Sequence, residues 1–254
     1  MKPIAVITGA SSGFGEAIAI QLAKAGWNLI LLARREDKLI ALSKKLHDTF
    51  QTDSLTFSCD VRDLEEVESV YRNIPAGWKN FSVLVNNAGL AVGKEPLDEG
   101  DVDDWNRMID TNVKGLVFVT RTFVRSMIEQ QGGTIINIGS IAGKEVYPGG
   151  NVYSATKSAV DALTRSMRID FLNHNIRVGQ IAPGAVETEF SLVRFKGDSG
   201  KANAVYNGYQ ALQAQDGAEA VLFMVSRPSH VCINDMVIMP TAQANATMFN
   251  KKNA

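Results

Sequence analysis

Ile4-Ala5-Val6-Ile7-Thr8-Gly9-Ala10-Ser11-Ser12-Gly13-Phe14-Gly15-Glu16-Ala17-Ile18-Ala19-Ile20 is the stretch that decides the fold. Its apolar opening has no polar alternation, as in a strand buried on both faces. The three glycines follow at once, and a helical apolar pattern follows them. Glycine permits the sharp reversal and lets backbone N–H groups approach an anion, while the helix N-terminus adds a favourable dipole. The spacing is G-x-x-x-G-x-G, and the Gly-Lys-Ser/Thr ending of a triphosphate loop is absent. Taken alone, the stretch also fits a plain tight connection.

Working outward, short apolar runs at 3–8, 27–33, 54–59, 82–86, 133–138, 176–181 and 232–237 alternate with helical patterns at 14–25, 35–47, 63–73, 103–110, 112–130, 152–173 and 216–226. Repeated βα units of this kind feed a parallel sheet, which makes the chain an α/β protein. At 254 residues, with no linker or repeat dividing it, residues 1–254 read as a single domain. Residues 183–215 form the longest irregular stretch, and a long loop after a strand end is expected to be a functional lid. The tail, 241–254, is polar and is expected to be disordered or to dock on a partner subunit, with Phe249 against that subunit.

Charged residues make up 21% of the chain and the net charge is -1, so there is no bulk attraction to nucleic acid or membrane. The first apolar run is too short for a signal peptide or a membrane span, which points to a cytoplasmic location. Cys59 and Cys232 read as buried free thiols, and His47, His174 and His230 have no shared metal spacing, so no metal is expected.

The second strand ends Ala33-Arg34-Arg35, where an NAD-binding protein would place a carboxylate on the ribose hydroxyls. Two guanidiniums suit a 2′-phosphate instead, so the expected cofactor is NADP(H). Farther on, Tyr153-Ser154-Ala155-Thr156-Lys157 sets Tyr153 and Lys157 one helical turn apart on one face. A neighbouring ammonium favours the phenolate, which would let Tyr153 exchange a proton near neutral pH. Ile138-Gly139-Ser140 places a hydroxyl at the carboxyl edge of the sheet, within reach of a substrate oxygen. Tyr and Lys at helical spacing are, by themselves, a common solvated pair.

In order along the chain stand Thr8 to Gly15, Asp60-Val61, Asn86-Asn87-Ala88-Gly89, Asn112 in Asn112-Val113-Lys114-Gly115, Ser140, Tyr153 with Lys157, and Pro183-Gly184 followed by Thr188. Together they resemble the short-chain dehydrogenase/reductase family over residues 3–240. The resemblance implies a Rossmann-like, doubly wound, seven-stranded parallel sheet. It implies that Tyr153 is the proton donor in carbonyl reduction, that Ser140 polarises the carbonyl, that Lys157 binds the nicotinamide ribose and lowers the Tyr153 pKa, and that Asn112 holds a water in the proton relay. The cofactor would lie against Gly9, Ser11, Ser12, Gly13, Phe14, Gly15, Arg34, Arg35, Asp60, Val61, Asn87, Ala88, Gly89, Tyr153, Lys157, Pro183, Gly184, Val186 and Thr188.

A narrower likeness lies in Asn87 to Ala91, Met108 to Asn112, Gly149 to Tyr153 and Glu189 to Asp198. These segments look like NADP-dependent 3-hydroxy acid dehydrogenases and sulfoacetaldehyde reductases, which implies a short anionic aldehyde or hydroxy acid as substrate. Arg194 and Lys196 are the candidates for its anion, with Tyr147 as a wall or hydroxyl donor and Ser140 and Tyr153 on its reacting oxygen. The chain departs from the 3-hydroxy acid pattern in Gln243 to Phe249 and around Gly143-Lys144-Glu145-Val146, both expected near the pocket. The family usually pairs subunits, so a homodimer or homotetramer is expected, with Ser154, Ala155, Ser158, Ala159 and Ala162 allowing close helix approach. The alternative is a non-catalytic NADP(H)-binding sensor or scaffold, against which stands the retention of Asn112, Ser140, Tyr153 and Lys157 together.

Overall fold

The computed structural model describes residues 2–252. In chain order the elements are β1 (Ile4–Thr8), α1 (Gly13–Lys24), β2 (Asn28–Ala33), α2 (Glu36–Phe50), β3 (Ser54–Ser58), α3 (Leu64–Asn73), β4 (Val83–Asn86), α4 (Val102–Ile109), α5 (Leu116–Glu129), β5 (Gly133–Ile138), α6 (Asn151–Asp170), β6 (Ile176–Pro183), β7 (Val186–Glu187), α7 (Glu189–Arg194), α8 (Ser199–Ala204), β8 (Leu212–Gln213), α9 (Ala214–Val225) and β9 (Asp235–Ile238). Seven strands pair in parallel in the order β3-β2-β1-β4-β5-β6-β9. The order reverses between β1 and β4, which opens a crevice beyond their carboxyl ends.

Alternation along β1 explains why its run is wholly apolar. Ala5 and Ile7 enter one core with Ile18 and Leu22 of α1, Leu39 and Leu46 of α2, and Val221 and Met224 of α9. Ile4 and Val6 enter the other with Val67 of α3, Val119 and Phe123 of α5, and Val160 and Met167 of α6. Helices therefore cover both faces, as a parallel sheet requires. Buried amides cross-link the middle strands: Asn86 Nδ2 donates to Asn137 Oδ1 and Thr120 Oγ1, both at 2.8 Å, and Asn137 Nδ2 donates to Thr164 Oγ1 at 2.9 Å. Among the described residues, no helix is long and apolar enough to cross a membrane.

Four expectations need correction. The break anticipated near residue 111 is a π turn, Asp110–Gly115, that joins α4 and α5 into one helical rod. Residues 183–215 are not irregular: they hold α7, α8 and the small β7–β8 pair. The last strand begins at Asp235, paired with Gln180, rather than at 232. Cys232 precedes that edge strand and is exposed, whereas Cys59 is buried.

The tail folds back on its own chain. Gln243 is buried and its Oε1 accepts from Ala185 N at 2.8 Å, while Ala246 N donates to Glu145 Oε2 at 2.8 Å. Lys252 N donates to Gly208 O at 2.8 Å, and Phe249 packs on Tyr209 with ring centroids 5.1 Å apart. Phe249 thus has its aromatic partner within the chain, because Gly208 and Tyr209 present both a carbonyl and a ring to the returning tail. Residues 253 and 254 lie outside the described residues.

Candidate active site

The glycine turn takes the shape its composition requires. Gly9 and Gly13 have φ of +65° and +55°, the left-handed region in which a side chain is costly. A Cβ on Gly15 would stand 2.3 Å from Gly9 O, so the helix can sit this close to the turn only with glycine there. The Ser12 side chain makes no capping bond to α1, which leaves the helix's first N–H groups facing the crevice mouth for an anion. Thr8 ties the turn to β4: its Oγ1 accepts from Asn87 N and Ala88 N, both at 3.0 Å. Asn87 Nδ2 answers by donating to Thr8 O at 2.8 Å and Gly9 O at 3.2 Å. The role of Thr8 is invisible in sequence, since it depends on a strand nearly eighty residues away.

A cleft of about 400 Å³ runs from this turn along the strand ends. Every residue anticipated for the cofactor lines it except Gly15, which lies beneath the turn. At one end Arg35 donates to Ser11 Oγ at 3.2 Å and pairs with Glu189 Oε2 at 3.3 Å, while Arg34 lines the same wall. Asp60 lines the cleft with its carboxylate held by Arg62, whose Nε lies 2.9 Å from both oxygens. That bonding keeps the Asp60 carboxyl below the usual carboxylate range. Arg62, Glu189 and the cleft-lining Arg107 and Thr111 were not anticipated.

At the other end α6 delivers Tyr153 and Lys157, both buried, to the tip of β5. Lys157 Nζ donates to Ile138 O at 2.8 Å and lies 6.0 Å from the Tyr153 ring centroid. Ser140 begins a helical turn after β5 and its Oγ accepts from Ala142 N at 3.1 Å. Asn112 sits in the π turn. Its Oδ1 accepts from Leu90 N at 2.8 Å, and its Nδ2 donates to Leu90 O at 2.8 Å and Thr156 Oγ1 at 3.0 Å. Both amide hydrogens and one lone pair of the oxygen are thus engaged by protein, fastening the β4 loop against α6 behind Gly89, and the side chain does not line the cleft.

Electrostatics differ from the simple ammonium–phenol picture. Burial pushes the Tyr153 phenol up to about 12, against the opposing pull of the Arg194 guanidinium and the Ser140 hydroxyl, with Tyr147 adding to the rise. Burial also brings the Lys157 ammonium down to about 8. The cation that favours the Tyr153 phenolate here is Arg194, whose guanidinium carbon lies 4.9 Å from the Tyr153 ring centroid. Arg194 also stands 5.6 Å from the Tyr147 ring and 5.3 Å from that of Phe190, and its Nη2 donates to Tyr147 Oη at 2.5 Å. Its Nε is buried and has no hydrogen-bond partner among the described residues. Tyr147 and Arg194 thus back the cleft behind Tyr153 rather than line its floor. Burial raises the Tyr147 phenol, and Arg194 counters it.

Lys196, the other candidate cation, points away: its Nζ lies 2.7 Å from Asp104 Oδ2 and 3.6 Å from Asp101 Oδ2. Phe190, unanticipated, lines the cleft with its ring 5.7 Å from that of Tyr153. Its sequence signals are its place two positions after Thr188 and within the Glu189 to Asp198 segment of the narrower likeness. Of the tail and loop expected near the pocket, Gln243 backs Gly184 and Ala185 and Glu145 holds Ala246, but neither segment lines the cleft. Among the described residues, no group of three His, Cys, Asp or Glu side chains could hold a metal ion.

Comparison with known proteins agrees with this arrangement. A family model described as short chain dehydrogenase matches residues 3–197. Sulfoacetaldehyde reductase 2 of Chromohalobacter salexigens is 44% identical over 245 residues, 96% of each chain. The NADP-dependent 3-hydroxy acid dehydrogenase YdfG of Escherichia coli K12 is 45% identical over 244 residues, 96% of this chain and 97% of that one. Among solved structures, the closed form of a serine dehydrogenase complexed with NADP+ superposes with a TM-score of 0.91 at 43% identity, covering 98% of this chain and all of the other.

Proposed function

This chain belongs to the short-chain dehydrogenase family, and from that premise we propose that it uses NADPH to reduce, reversibly, a short aldehyde carrying an anionic group. Malonic semialdehyde, giving the 3-hydroxy acid, and sulfoacetaldehyde, giving isethionate, are the substrates of this class closest to its relatives' names. The enzyme is an NADP-dependent oxidoreductase acting on CH–OH groups. The residues present fit that cofactor: Gly9 and Gly15 leave no room for Cβ atoms, and Arg34 and Arg35 would supply the cations a 2′-phosphate needs.

Bound NADPH supplies the hydride; the protein supplies orientation and a proton. Ser140 Oγ is placed to hydrogen-bond the carbonyl oxygen, drawing charge onto it as hydride arrives. Tyr153 Oη gives that oxygen its proton, and a phenol raised to about 12 holds its proton firmly until the alkoxide forms. Arg194 stabilises the phenolate left behind, and Lys157 would hold the cofactor ribose. Asn112 holds Leu90 and Thr156 in register beneath them.

The single observation that carries the substrate class is Arg194: a guanidinium caged by Tyr147, Tyr153 and Phe190, with one N–H buried and unpaired beside the proton donor. From behind Tyr153 this guanidinium sets a positive charge beside the reacting carbon, which favours a substrate that carries an anion next to it. The test is steady-state reduction of malonic semialdehyde, sulfoacetaldehyde and propionaldehyde by the wild type and Arg194→Met. Wild type should favour the anions by about 10² in kcat/KM, the worth of a charge-assisted hydrogen bond, and Arg194→Met should erase the preference. Equal rates on all three aldehydes would refute the substrate class.

The same reading has the protein act as a homodimer or homotetramer in the cytoplasm. Support comes from the exposed small residues Ala155, Ser158 and Ala162 on α6 and from the two unpaired thiols, which suit a reducing compartment.

A further inference from the structure

We propose that Asp104 is a positioning residue for the substrate side of this cleft: through Lys196 it fixes the end of α7 where Arg194 meets Tyr147 and Tyr153. The proposal rests on the reading of Arg194 as the anion's partner.

Asp104 is a buried carboxylate on α4, 5% exposed, and a buried charge is tolerated only with partners. Its partners are Lys196 Nζ at 2.7 Å and, one helical turn on, Arg107 at 3.6 Å. Lys196 is an unusual residue to find there. Its φ is +52°, left-handed backbone that a side chain rarely adopts, and Gly197 after it has φ +92°. The turn is closed by Lys196 N to Val193 O at 3.1 Å and Gly197 N to Leu192 O at 2.9 Å. Those bonds close a left-handed helix end, and the ion pair to Asp104 is the side-chain contact that fastens it to α4.

The anchor lies two residues from the group it would serve. Arg194 O accepts from Gly93 N at 3.0 Å, and Asp104 Oδ2 is 3.5 Å from the point where a Cβ on Gly93 would lie. Three segments, the loop after β4, α4 and the end of α7, therefore meet at one carboxylate. Without it the turn carrying Arg194 is held by its backbone bonds alone. Arg194 acts through a short bond to Tyr147 and close ring contacts, an arrangement that small displacements break.

The test compares Asp104→Asn, Lys196→Met and Lys196→Arg in the NADP-loaded protein. Asp104→Asn and Lys196→Met should each lower kcat/KM for malonic semialdehyde by about tenfold more than for propionaldehyde, leaving NADPH affinity unchanged, while Lys196→Arg keeps the wild-type ratio. Hydrogen exchange should quicken in residues 189–197 and not in α6. Lys196 is half-exposed, so Lys196→Met keeps the test alive if Asp104→Asn folds poorly. Unchanged exchange in 189–197, or equal losses on both aldehydes, overturns the proposal, as does tighter substrate binding from the freed cations. Should wild type itself show no preference for the anion, the substrate reading fails, and the exchange result alone decides whether Asp104 fastens α7.

Discussion

Lys157→Met removes a charge that the fold is forced to bury. Lys157 is 6% exposed, and burial brings its ammonium from 10.5 to about 8. Below about pH 8 folded and unfolded chains both hold the proton, so the folded state bears the whole penalty. At about 1.4 kcal/mol per pH unit, the interval between the two values is worth roughly 3 kcal/mol. Between about pH 8 and 10.5 the unfolded chain binds the proton and the folded one does not, so wild-type stability rises with pH and the penalty fades. Methionine has similar length and no charge, but forfeits the Nζ bond to Ile138 O at 2.8 Å, worth about 1 kcal/mol. Lys157→Met should therefore be more stable than wild type by roughly 2 kcal/mol at pH 7 and slightly less stable near pH 10.5, while its NADPH-dependent reduction collapses. Urea denaturation of nucleotide-free protein at pH 7, 8.5 and 10 measures this directly. A variant less stable at pH 7, or a difference indifferent to pH, would show that Lys157 is not carrying a buried charge.

Two further outcomes test the cofactor end and the proton donor. Arg35→Asp should lower kcat/KM with NADPH by about 10² and alter NADH turnover far less, because only the former presents a phosphate to that wall; equal losses with both coenzymes would remove Arg35 from 2′-phosphate recognition. Tyr153→Phe should cut kcat by about 10³ while NADPH still binds in a fluorescence titration, and retention of most turnover would assign the proton to another group.

Much of this architecture is legible in the sequence because its signals are local. The glycine turn and the apolar runs declare a doubly wound sheet, and Tyr153, Lys157 and Ser140 declare themselves by spacing and by position at strand ends. What escapes is set by partners far along the chain. Thr8 reads as one more strand residue until Asn87 and Ala88 arrive beside it. Lys196 and Arg194 look equivalent in sequence, and Asp101 and Asp104, more than ninety residues earlier, send one away from the site. The interruption near residue 111 is visible as a lapse in helical period, but a π turn and a loop produce the same lapse. Cys232 carries the residue types of a buried strand around it and is exposed because β9 is an edge.

The cross-ties from Thr8 and Asn87 have a thermodynamic consequence. They brace the floor of the cleft where β1 and β4 part, so that surface is already ordered when a ligand arrives and binding there forfeits little conformational entropy. The opposite wall, α7, is held by two ion pairs open to solvent on at least one side, Arg35 with Glu189 and the half-exposed Lys196 with the buried Asp104. Such pairs weaken as salt screens them. Grip on the nucleotide and choice of substrate are thereby assigned to parts of different stiffness, and rising ionic strength should erode discrimination between aldehydes before it loosens the glycine cradle.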